Sequence, residues 1–455
     1  MTTSDRFRQV SLGMLLLAAI GCGASRTPSG AVTPTTEQTL DELFNMSSVY
    51  QRLGRLAAGG PVPFVGTTAL LKGRGDSTVA RVALSFDNHA FAFTREGRSF
   101  SSRFRVDYSL ARSGQAAIQA VRDEIVRVES FAETQRNDES VIVEQDFMLG
   151  PGSYTLTVTV RDPASSVSSR AEQGLEVPGF PAGSMSPPIF VYEARPRTRT
   201  GDSAVMLINA RGTVANGGGD SLLMYLEGYQ FPGPRDLPVE IRDDRDSVVY
   251  QAVVRFQGGL PVEGRLLRLA SDAPPLGQLR ITVGEGSDAK RVTALVSFSR
   301  SWVVTNYDNL LALLRWFPWA PDRLSALRDA SAADRPRRWR EFWVATDPSP
   351  ETPGNEALDR YFTRIAIANE RFKDEAGPGW RSERGEVYVT LGEPDQAYES
   401  PPSSDQRVVQ WLYSFYRATI TFVGPVGFSR LRMTTQSRGE FARARAQVIR
   451  QGPGG

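Results

Sequence analysis

The chain has 455 residues, a formal net charge of +2, one cysteine and one histidine. This length accommodates about two to four domains, and the nearly balanced charge gives no global field that would favour nucleic acid. A single cysteine excludes a disulfide framework, and one histidine with one cysteine supplies no ligand set for zinc. We therefore predict no metal, no cofactor and no nucleic-acid partner.

The N-terminus has the features of an export signal. Arg6 and Arg8 precede an apolar run over residues 10–20, which is shorter than the ~20 residues that span a bilayer but suits the centre of a signal peptide. The small residues that end this run before Cys22 resemble the lipobox of bacterial lipoproteins. In that class the signal is removed before the cysteine, whose thiol receives a lipid.

This resemblance implies that residues 1–21 are a signal peptide and that Cys22 is the lipidated mature N-terminus, carrying chains such as palmitate. Gly23, and not an aspartate, follows the cysteine, as in lipoproteins that are sorted to the outer membrane. The expected location is therefore the cell envelope, with the chain facing the periplasm or the cell surface. Residues 22–61 are predicted to be a flexible tether followed by a helix over residues 39–58.

Two β-rich modules are predicted next, over residues 62–177 and 189–302, joined by a Pro- and Gly-rich linker over residues 178–188. Strict alternation of apolar and polar residues indicates antiparallel strands with one wet face. Several such strands separated by turns indicate β-sandwich-like modules similar to immunoglobulin-like domains. Inward positions are predicted at Phe104, Val106, Tyr108, Leu110, Tyr154, Leu156, Val158 and Val160.

The pattern becomes helical beyond residue 303 and ends in three short strands. This predicts an α+β domain of helices and a small antiparallel sheet over residues 303–437, followed by a basic tail over residues 438–455. The arginines of the tail are expected to form a solvated face, with contact to anionic lipid headgroups as the alternative.

Residues 377–395, GPGWRSERGEVYVTLGEPD, form the most specified stretch of the chain. Trp380 is expected to anchor the turn by packing against neighbouring helices. Ser382 and Glu383 are expected to accept hydrogen bonds from loop amides, as capping residues do. Gly385 is expected to provide a positive φ that leads into a strand over residues 386–391.

The same residues resemble the bacterial GWxTD domain, named for Gly-Trp-x-Thr-Asp. Gly379, Trp380, Ser382 and Glu383 occupy the named positions, with Ser for Thr and Glu for Asp, and Arg384-Gly385 follow them. The helices around Trp339 and Tyr361 and the later WLYSFY segment resemble the family too. The family has no established activity, so the resemblance implies structural roles for these residues and no catalytic one.

Two other candidate sites are less well supported. Gly219-Asp220-Ser221-Leu222 matches the serine block of GDSL esterases, but their chemistry needs a histidine downstream, and His89 lies upstream. A turn that leads into a strand explains this segment. The acidic residues of RDDRDS (242–247) or GGGD (217–220) could hold calcium, but neither segment has EF-hand spacing, and the two arginines in and beside DDRD would oppose a cation.

The sequence therefore predicts a lipid-anchored envelope protein that acts as a non-catalytic binding or scaffold component with an envelope protein partner. The alternative is an envelope hydrolase in which Glu383, Glu386 or Asp395 line a cleft beside Trp380 and Arg384. Paired carboxylates can cleave a glycosidic bond. A pocket with two facing carboxylates would favour the hydrolase, whereas a filled environment around Trp380 would favour the scaffold.

Overall fold

The computed structural model describes residues 46–454 apart from ten short segments. These segments are 135–139, 164–166, 217–220, 271–272, 298–306, 332–333, 353, 373–377, 401–405 and 427–429. The predicted signal peptide, Cys22 and most of the predicted tether lie outside the described residues. Within the described ranges, no helix has both the length and the apolar character needed to cross a bilayer.

The N-terminal β module consists of two short helices and two facing sheets. Its strands pair in the orders β1-β2-β3-β7 and β4-β5-β8-β9, with β6 paired to β5. The elements are α1 (Met46–Arg52), β1 (Leu56–Ala58), β2 (Phe64–Lys72), β3 (Thr78–Asp87), β4 (Thr94–Glu96), β5 (Ser99–Ala111), β6 (Ile118–Val128), α2 (Phe131–Thr134), β7 (Ser140–Leu149), β8 (Gly152–Arg161) and β9 (Ser168–Val177).

The core of this module lies between the two sheets, and all eight predicted inward positions of β5 and β8 are buried in it. One-sided burial produces the alternation seen in the sequence, so these strands and their faces are confirmed. The predicted helix over residues 39–58 is wrong at its C-terminal end. Residues 56–58 form β1, which pairs with β2 from Ala58–Phe64 to Leu56–Gly66.

The second β module is also a pair of sheets, ordered β11-β10-β13-β16 and β12-β18-β17-β14-β15. Residues 243–246 lie in the hairpin turn between β14 and β15. The strands are β10 (Ile189–Arg195), β11 (Val205–Ile208), β12 (Thr213–Ala215), β13 (Ser221–Tyr229), β14 (Arg235–Arg242), β15 (Val248–Phe256), β16 (Val262–Ala270), β17 (Gly277–Val283) and β18 (Lys290–Ser297).

The two β modules pack against each other through the outer faces of their adjoining sheets. Ala69, Leu71 and Ala83 of the N-terminal β module share a buried cluster with residues of β10, β11 and β13, including Val191. The segment over residues 178–188 is not a free linker, because Phe180 is buried in the core of the N-terminal β module.

The C-terminal domain combines helices with one antiparallel sheet, ordered β19-β20-β21-β22. Its core is continuous with that of the second β module. The elements are α3 (Tyr307–Leu313), α4 (Pro321–Arg328), α5 (Arg335–Thr346), α6 (Glu356–Arg371), α7 (Glu383–Leu391), β19 (Gln396–Glu399), β20 (Gln406–Tyr413), β21 (Ala418–Pro425), β22 (Arg432–Met433) and α8 (Thr435–Gln451).

The architecture is therefore two β-sandwich-like modules followed by an α+β domain of helices and a small antiparallel sheet. The residues predicted as a basic tail from 438 onwards mostly form α8. Thr434 caps this helix by accepting from Ser437 N, and the helix buries Phe441, Ala444 and Val448. An amphipathic helix buries its apolar stripe and leaves its polar face in solvent. The many arginines of this segment therefore indicate a solvated face but do not exclude a packed helix.

Candidate functional site

The most specified segment of the sequence begins with a single 3₁₀ turn and continues as a helix. Gly379–Arg381 form the 3₁₀ turn, Ser382 is the N-cap and Glu383–Leu391 form α7. The predicted strand over residues 386–391 is wrong. Val387, Tyr388, Val389, Thr390 and Leu391 are all buried. A helix that is buried all round shows no amphipathic stripe, so its valines could not be distinguished from those of a strand.

Two of the four glycines of the segment, Gly379 and Gly385, allow backbones to approach closely. A Cβ on Gly379 would lie 2.5 Å from the carbonyl oxygen of Ala368 in α6. A Cβ on Gly385 would lie 2.4 Å from the carbonyl oxygen of Gly379 and 2.5 Å from that of Trp380. Gly385 has no positive φ, so the predicted left-handed kink is wrong. Its hydrogen side chain instead lets α7 begin directly against the 3₁₀ turn.

We expect Gly385→Ala to destabilise the C-terminal domain by about 1–3 kcal/mol, because the clashing atoms are backbone carbonyl oxygens that cannot rotate away. Gly439→Ala is the matched control, since it is also helical and its Cβ would meet nothing within 4 Å. That control should stabilise the domain by up to ~1 kcal/mol, the helix preference of Ala over Gly.

The measurement is denaturant unfolding followed by tryptophan fluorescence. Six of the seven tryptophans lie between residues 316 and 411, so the signal reports mainly the C-terminal domain. Equal effects of the two substitutions would contradict the close approach at Gly385.

Trp380 lies in the core of the C-terminal domain and has no exposed surface. Its indole Nε1 has no hydrogen-bond partner among the residues that the structure describes. The Arg381 guanidinium lies 5.3 Å from the centroid of its ring. Arg384 is also buried, with its guanidinium 4.7 Å from the ring centroid of Phe372. The space around Trp380 is therefore filled by the protein itself and presents no open ring face.

Ser382 and Glu383 both bind backbone amides, but Ser382 caps the local helix as predicted, whereas Glu383 binds an amide 50 residues away and not a local loop amide. Ser382 Oγ accepts from Gly385 N at 2.9 Å and donates to Gly379 O at 2.7 Å. Glu383 Oε2 accepts a hydrogen bond from Met433 N of β22 at 2.7 Å. The guanidinium of Arg432, the other residue of β22, donates to Glu383 Oε1 at 3.0 Å. The Glu383 carboxylate therefore ties the start of α7 to the last strand of the sheet.

Arg438 of α8 completes the contacts of Glu383, with Nη2 at 2.8 Å and 3.0 Å from its two carboxylate oxygens. Burial of Glu383 raises its pKa, but the Met433 amide and the guanidiniums of Arg432 and Arg438 outweigh this and hold the pKa below its usual range. The sequence treated Arg438 as a solvated side chain. The opposite charges of Glu383 and Arg438 are the one sign of this pairing in the sequence. The two residues lie 55 positions apart, so no local pattern links them.

A pH titration tests this arrangement. A carboxyl group with a lowered folded-state pKa stabilises the protein above its unfolded-state pKa, and this contribution is lost as the pH falls through the folded-state pKa. We expect Glu383→Gln to unfold about 1–3 kcal/mol more easily than wild type at neutral pH. The difference should shrink steadily as the solution is acidified below the usual pKa of a glutamate.

The family-like double variant Ser382→Thr, Glu383→Asp keeps both functional groups and is the control. It should stay within ~1 kcal/mol of wild type. A stability difference between wild type and Glu383→Gln that does not change with pH would show that the charge of Glu383 is not what holds β22 and α8.

Glu386 is the one carboxylate-bearing residue of a surface cavity of about 340 Å³ in the described part of the chain. The cavity lies between α7 and α8 and is otherwise lined by Met433, Arg438, Phe441, Ala442, Arg445, Ala446 and Ile449. Burial raises the pKa of Glu386, and the Arg445 guanidinium lies 3.8 Å from its carboxylate.

Asp395 lies beyond the opposite end of α7 from Glu383. Its Oδ2 accepts from Ser414 N at 2.5 Å, and its own amide donates to Leu412 O at 2.9 Å, so it organises the entry into the sheet. The three carboxylates proposed for a hydrolase therefore hold separate positions along the helix. Glu383 and Asp395 bind backbone amides, and Glu386 alone faces the cavity.

The acidic hairpin over residues 243–246 is paired with arginines. Arg245 binds both carboxylate oxygens of Asp308, and Arg280 Nη2 lies 2.8 Å from Asp246 Oδ1. Among the residues that the structure describes, no group of three or more His, Cys, Asp or Glu side chains could hold a metal ion.

Residues 286–427 match the family described as the GWxTD domain. The chain contains a GWxTD domain. The match begins just before β18 of the second β module and ends before β22 and α8, so it leaves out Met433 and Arg438. Glu383 of the GWxTD motif thus binds a segment that lies beyond the matched residues. No curated protein is significantly similar to the chain.

Two solved structures show low similarity over about half of the chain. One is a tetra-tandem repeat from the extending region of a large adhesion protein, with 11% identity, 50% of this chain and 58% of that chain covered, and a TM-score of 0.17. The other is trypsin-activated alpha-2-macroglobulin from Escherichia coli, with 10% identity, coverage of 53% and 17%, and a TM-score of 0.17. The chain thus spans under two thirds of each of these proteins.

Proposed function

We propose that this protein is a non-catalytic binding or scaffold component of the bacterial cell envelope. The observation that supports it is that the polar groups of the GWxTD motif bind the protein's own backbone. Ser382 binds the start of α7, and Glu383 binds β22 and α8. A catalytic carboxylate needs a substrate-facing position, and the position of Glu383 is taken by three internal donors.

The two β modules suit a role as spacers and contact surfaces. Their adjoining sheets pack through an apolar cluster and through polar contacts such as the pair Arg211 to Asp87, at 2.6 Å. Large hydrophobic interfaces between modules resist relative motion. Such a unit would hold the C-terminal domain at a fixed position relative to the N-terminal β module and present it to an envelope protein partner.

The proposed anchor is Cys22, carrying acyl chains in the outer membrane. We expect intact-mass analysis of the membrane fraction to show a chain that begins at Cys22 with the added mass of lipid. Several acyl chains hold a protein to a membrane far better than one does. Cys22→Ser is the control and should lack the added mass. A wild-type chain with residues 1–21 intact in the soluble fraction would contradict this anchor.

The hydrolase alternative receives no specific support, because the cavity beside the motif holds one carboxylate residue and paired-carboxylate chemistry needs two. The deciding experiment compares wild type, Glu383→Gln and Glu386→Gln in turnover of envelope glycans and esters. We expect no turnover that depends on either carboxylate.

The partner is tested in the same set of proteins. After cross-linking in membranes, the same envelope protein should be recovered with wild type and with Glu386→Gln, in the same ratio to this chain.

The turnover assay gives the contrary outcome. Turnover that Glu383→Gln or Glu386→Gln removes, with the fold retained, would overturn the scaffold proposal.

A further inference from the structure

The edge strand β6 of the N-terminal β module is long, regular and open on one side. It pairs with β5 over its whole length, from Ile118–Leu110 to Val128–Phe100, without a register shift. In the described part of the chain β5 is its one strand partner. Natural edge strands are usually short or interrupted by proline or a bulge, because their free amide and carbonyl groups can pair with another chain. β6 has none of these interruptions.

The apolar side chains of β6 are unusually exposed for a strand of a sandwich. Ile118, Val121 and Ile125 have relative exposures of 42%, 46% and 44%. Val121, Asp123 and Ile125 share one face of the strand. On β5, Asp107 lies opposite Val121, Arg105 opposite Asp123 and Arg103 opposite Ile125. The other face carries Arg122 and Glu124, whose guanidinium and carboxylate lie 2.8 Å apart.

The sequence of β6, IQAVRDEIVRV, is self-complementary about its central residue, Asp123. Residues at equal distances on either side of Asp123 form complementary pairs. These pairs are Arg122 with Glu124, Val121 with Ile125, Ala120 with Val126, and Ile118 with Val128. Two antiparallel copies centred on Asp123 would therefore place opposite charges and apolar pairs directly across from each other, which are the stabilising cross-strand pairs of a sheet.

We propose that β6 pairs antiparallel with β6 of a second copy of this chain, about a two-fold axis at Asp123. The contact is isologous, so each attractive pair occurs twice. It joins the sheet of β4, β5, β6, β8 and β9 in one copy to the same sheet in the other copy, so that the two form one continuous sheet. The whole unpaired edge of β6 takes part in the contact. Arg122 of each copy lies opposite Glu124 of the other, and Val121 lies opposite Ile125.

The axis itself places two Asp123 carboxylates opposite each other. Arg105 is the residue of β5 that pairs with Asp123, and its guanidinium lies 4.0 Å from the Asp123 carboxylate. Each copy thus brings one guanidinium beside the pair, which offsets the repulsion between the two like charges. The remaining polar pair places the neutral Gln119 opposite Arg127, so it adds no repulsion.

Cysteine cross-linking of the full chain in membranes tests the register. The proposed axis puts residue 123 opposite itself, and directly opposite residues have Cα atoms about 4.5–5.5 Å apart, within the range of a disulfide. Asp123→Cys should therefore form a covalent dimer with copper–phenanthroline as the oxidant. Cys22 is the one native cysteine, so wild type gives the background of the assay.

Gln119→Cys is the matched control, because it is an exposed position on the same face of β6. In the proposed register residue 119 lies eight positions from its own copy, about 27 Å along the strand. It should not cross-link above the wild-type background. Equal cross-linking of Asp123→Cys and Gln119→Cys, or none of either, would overturn the proposal.

A charge exchange tests the pairing independently. In the Asp123→Cys background, Arg122→Glu places like charges opposite each other twice and should reduce the yield of covalent dimer about tenfold or more. Combining Arg122→Glu with Glu124→Arg restores both cross-strand pairs and should restore the yield. Both side chains are partly exposed, so thermal unfolding should be unchanged in every variant. A double variant that fails to recover would exclude this register.

Discussion

Arg197→Ala is expected to destabilise the contact between the two β modules by about 3–5 kcal/mol, the cost of leaving a buried charge without its partner. Glu227 has no exposed surface, and Arg197 binds it with two hydrogen bonds of 2.7 Å and 2.9 Å. The hydroxyls of Tyr225 and Tyr229 donate to the same carboxylate at 2.8 Å and 2.9 Å. Without the guanidinium this carboxylate stays desolvated between two phenols.

The same network reaches across to the N-terminal β module. Arg197 Nη2 also donates to the carbonyl oxygen of Lys72 at 2.7 Å, and Lys72 N donates to Tyr229 Oη at 3.0 Å. Lys72 is the last residue of β2. The substitution should therefore weaken both the second β module and its contact with the first.

Hydrogen exchange measured by mass spectrometry checks this prediction. Peptides that cover the end of β2 and the middle of β13 should exchange faster in Arg197→Ala, and the global unfolding midpoint should fall. Arg199→Ala is the matched control, since Arg199 is exposed on the same loop, and it should stay within ~0.5 kcal/mol of wild type. Unchanged exchange at Lys72 would show that the Arg197–Glu227 pair does not join the modules.

Trp380→Ala is the second large expected effect, with a loss of about 3–5 kcal/mol in the stability of the C-terminal domain. The side chain is fully buried in the core of the C-terminal domain, so truncation removes its contacts and leaves a cavity. The five other tryptophans of this domain, between residues 316 and 411, report its unfolding by fluorescence.

Trp380→Phe separates packing from hydrogen bonding. Because the indole Nε1 has no hydrogen-bond partner in the described part of the chain, this substitution removes only part of the buried volume and should cost less than half as much as Trp380→Ala. A stability equal to wild type in Trp380→Ala would indicate that the indole is not part of the core and is available to a ligand.

The sequence by itself determined the elements that are buried on one side. The sequence predicts β5 and β8 and the faces that they bury, because burial of alternate residues imposes a period of two. The helices α5 and α6 were found for the same reason, since each buries one stripe and leaves the other wet. Local chemistry also identified Ser382 as a cap, because capping depends only on residues within one turn.

The tertiary structure alone decided what depends on distant parts of the chain. α7 is enclosed on all sides, so its pattern carried no period, and only its surroundings make it a helix. Gly385 was recognised as special for the wrong reason, because the carbonyl oxygens that it approaches are brought there by the fold. The partners of Glu383 come from β22 and α8, and those of the Glu227 carboxylate come from its own strand β13 and from the loop that carries Arg197. Such pairs form when packed elements bring opposite charges together, and no local periodicity in a single sequence records them.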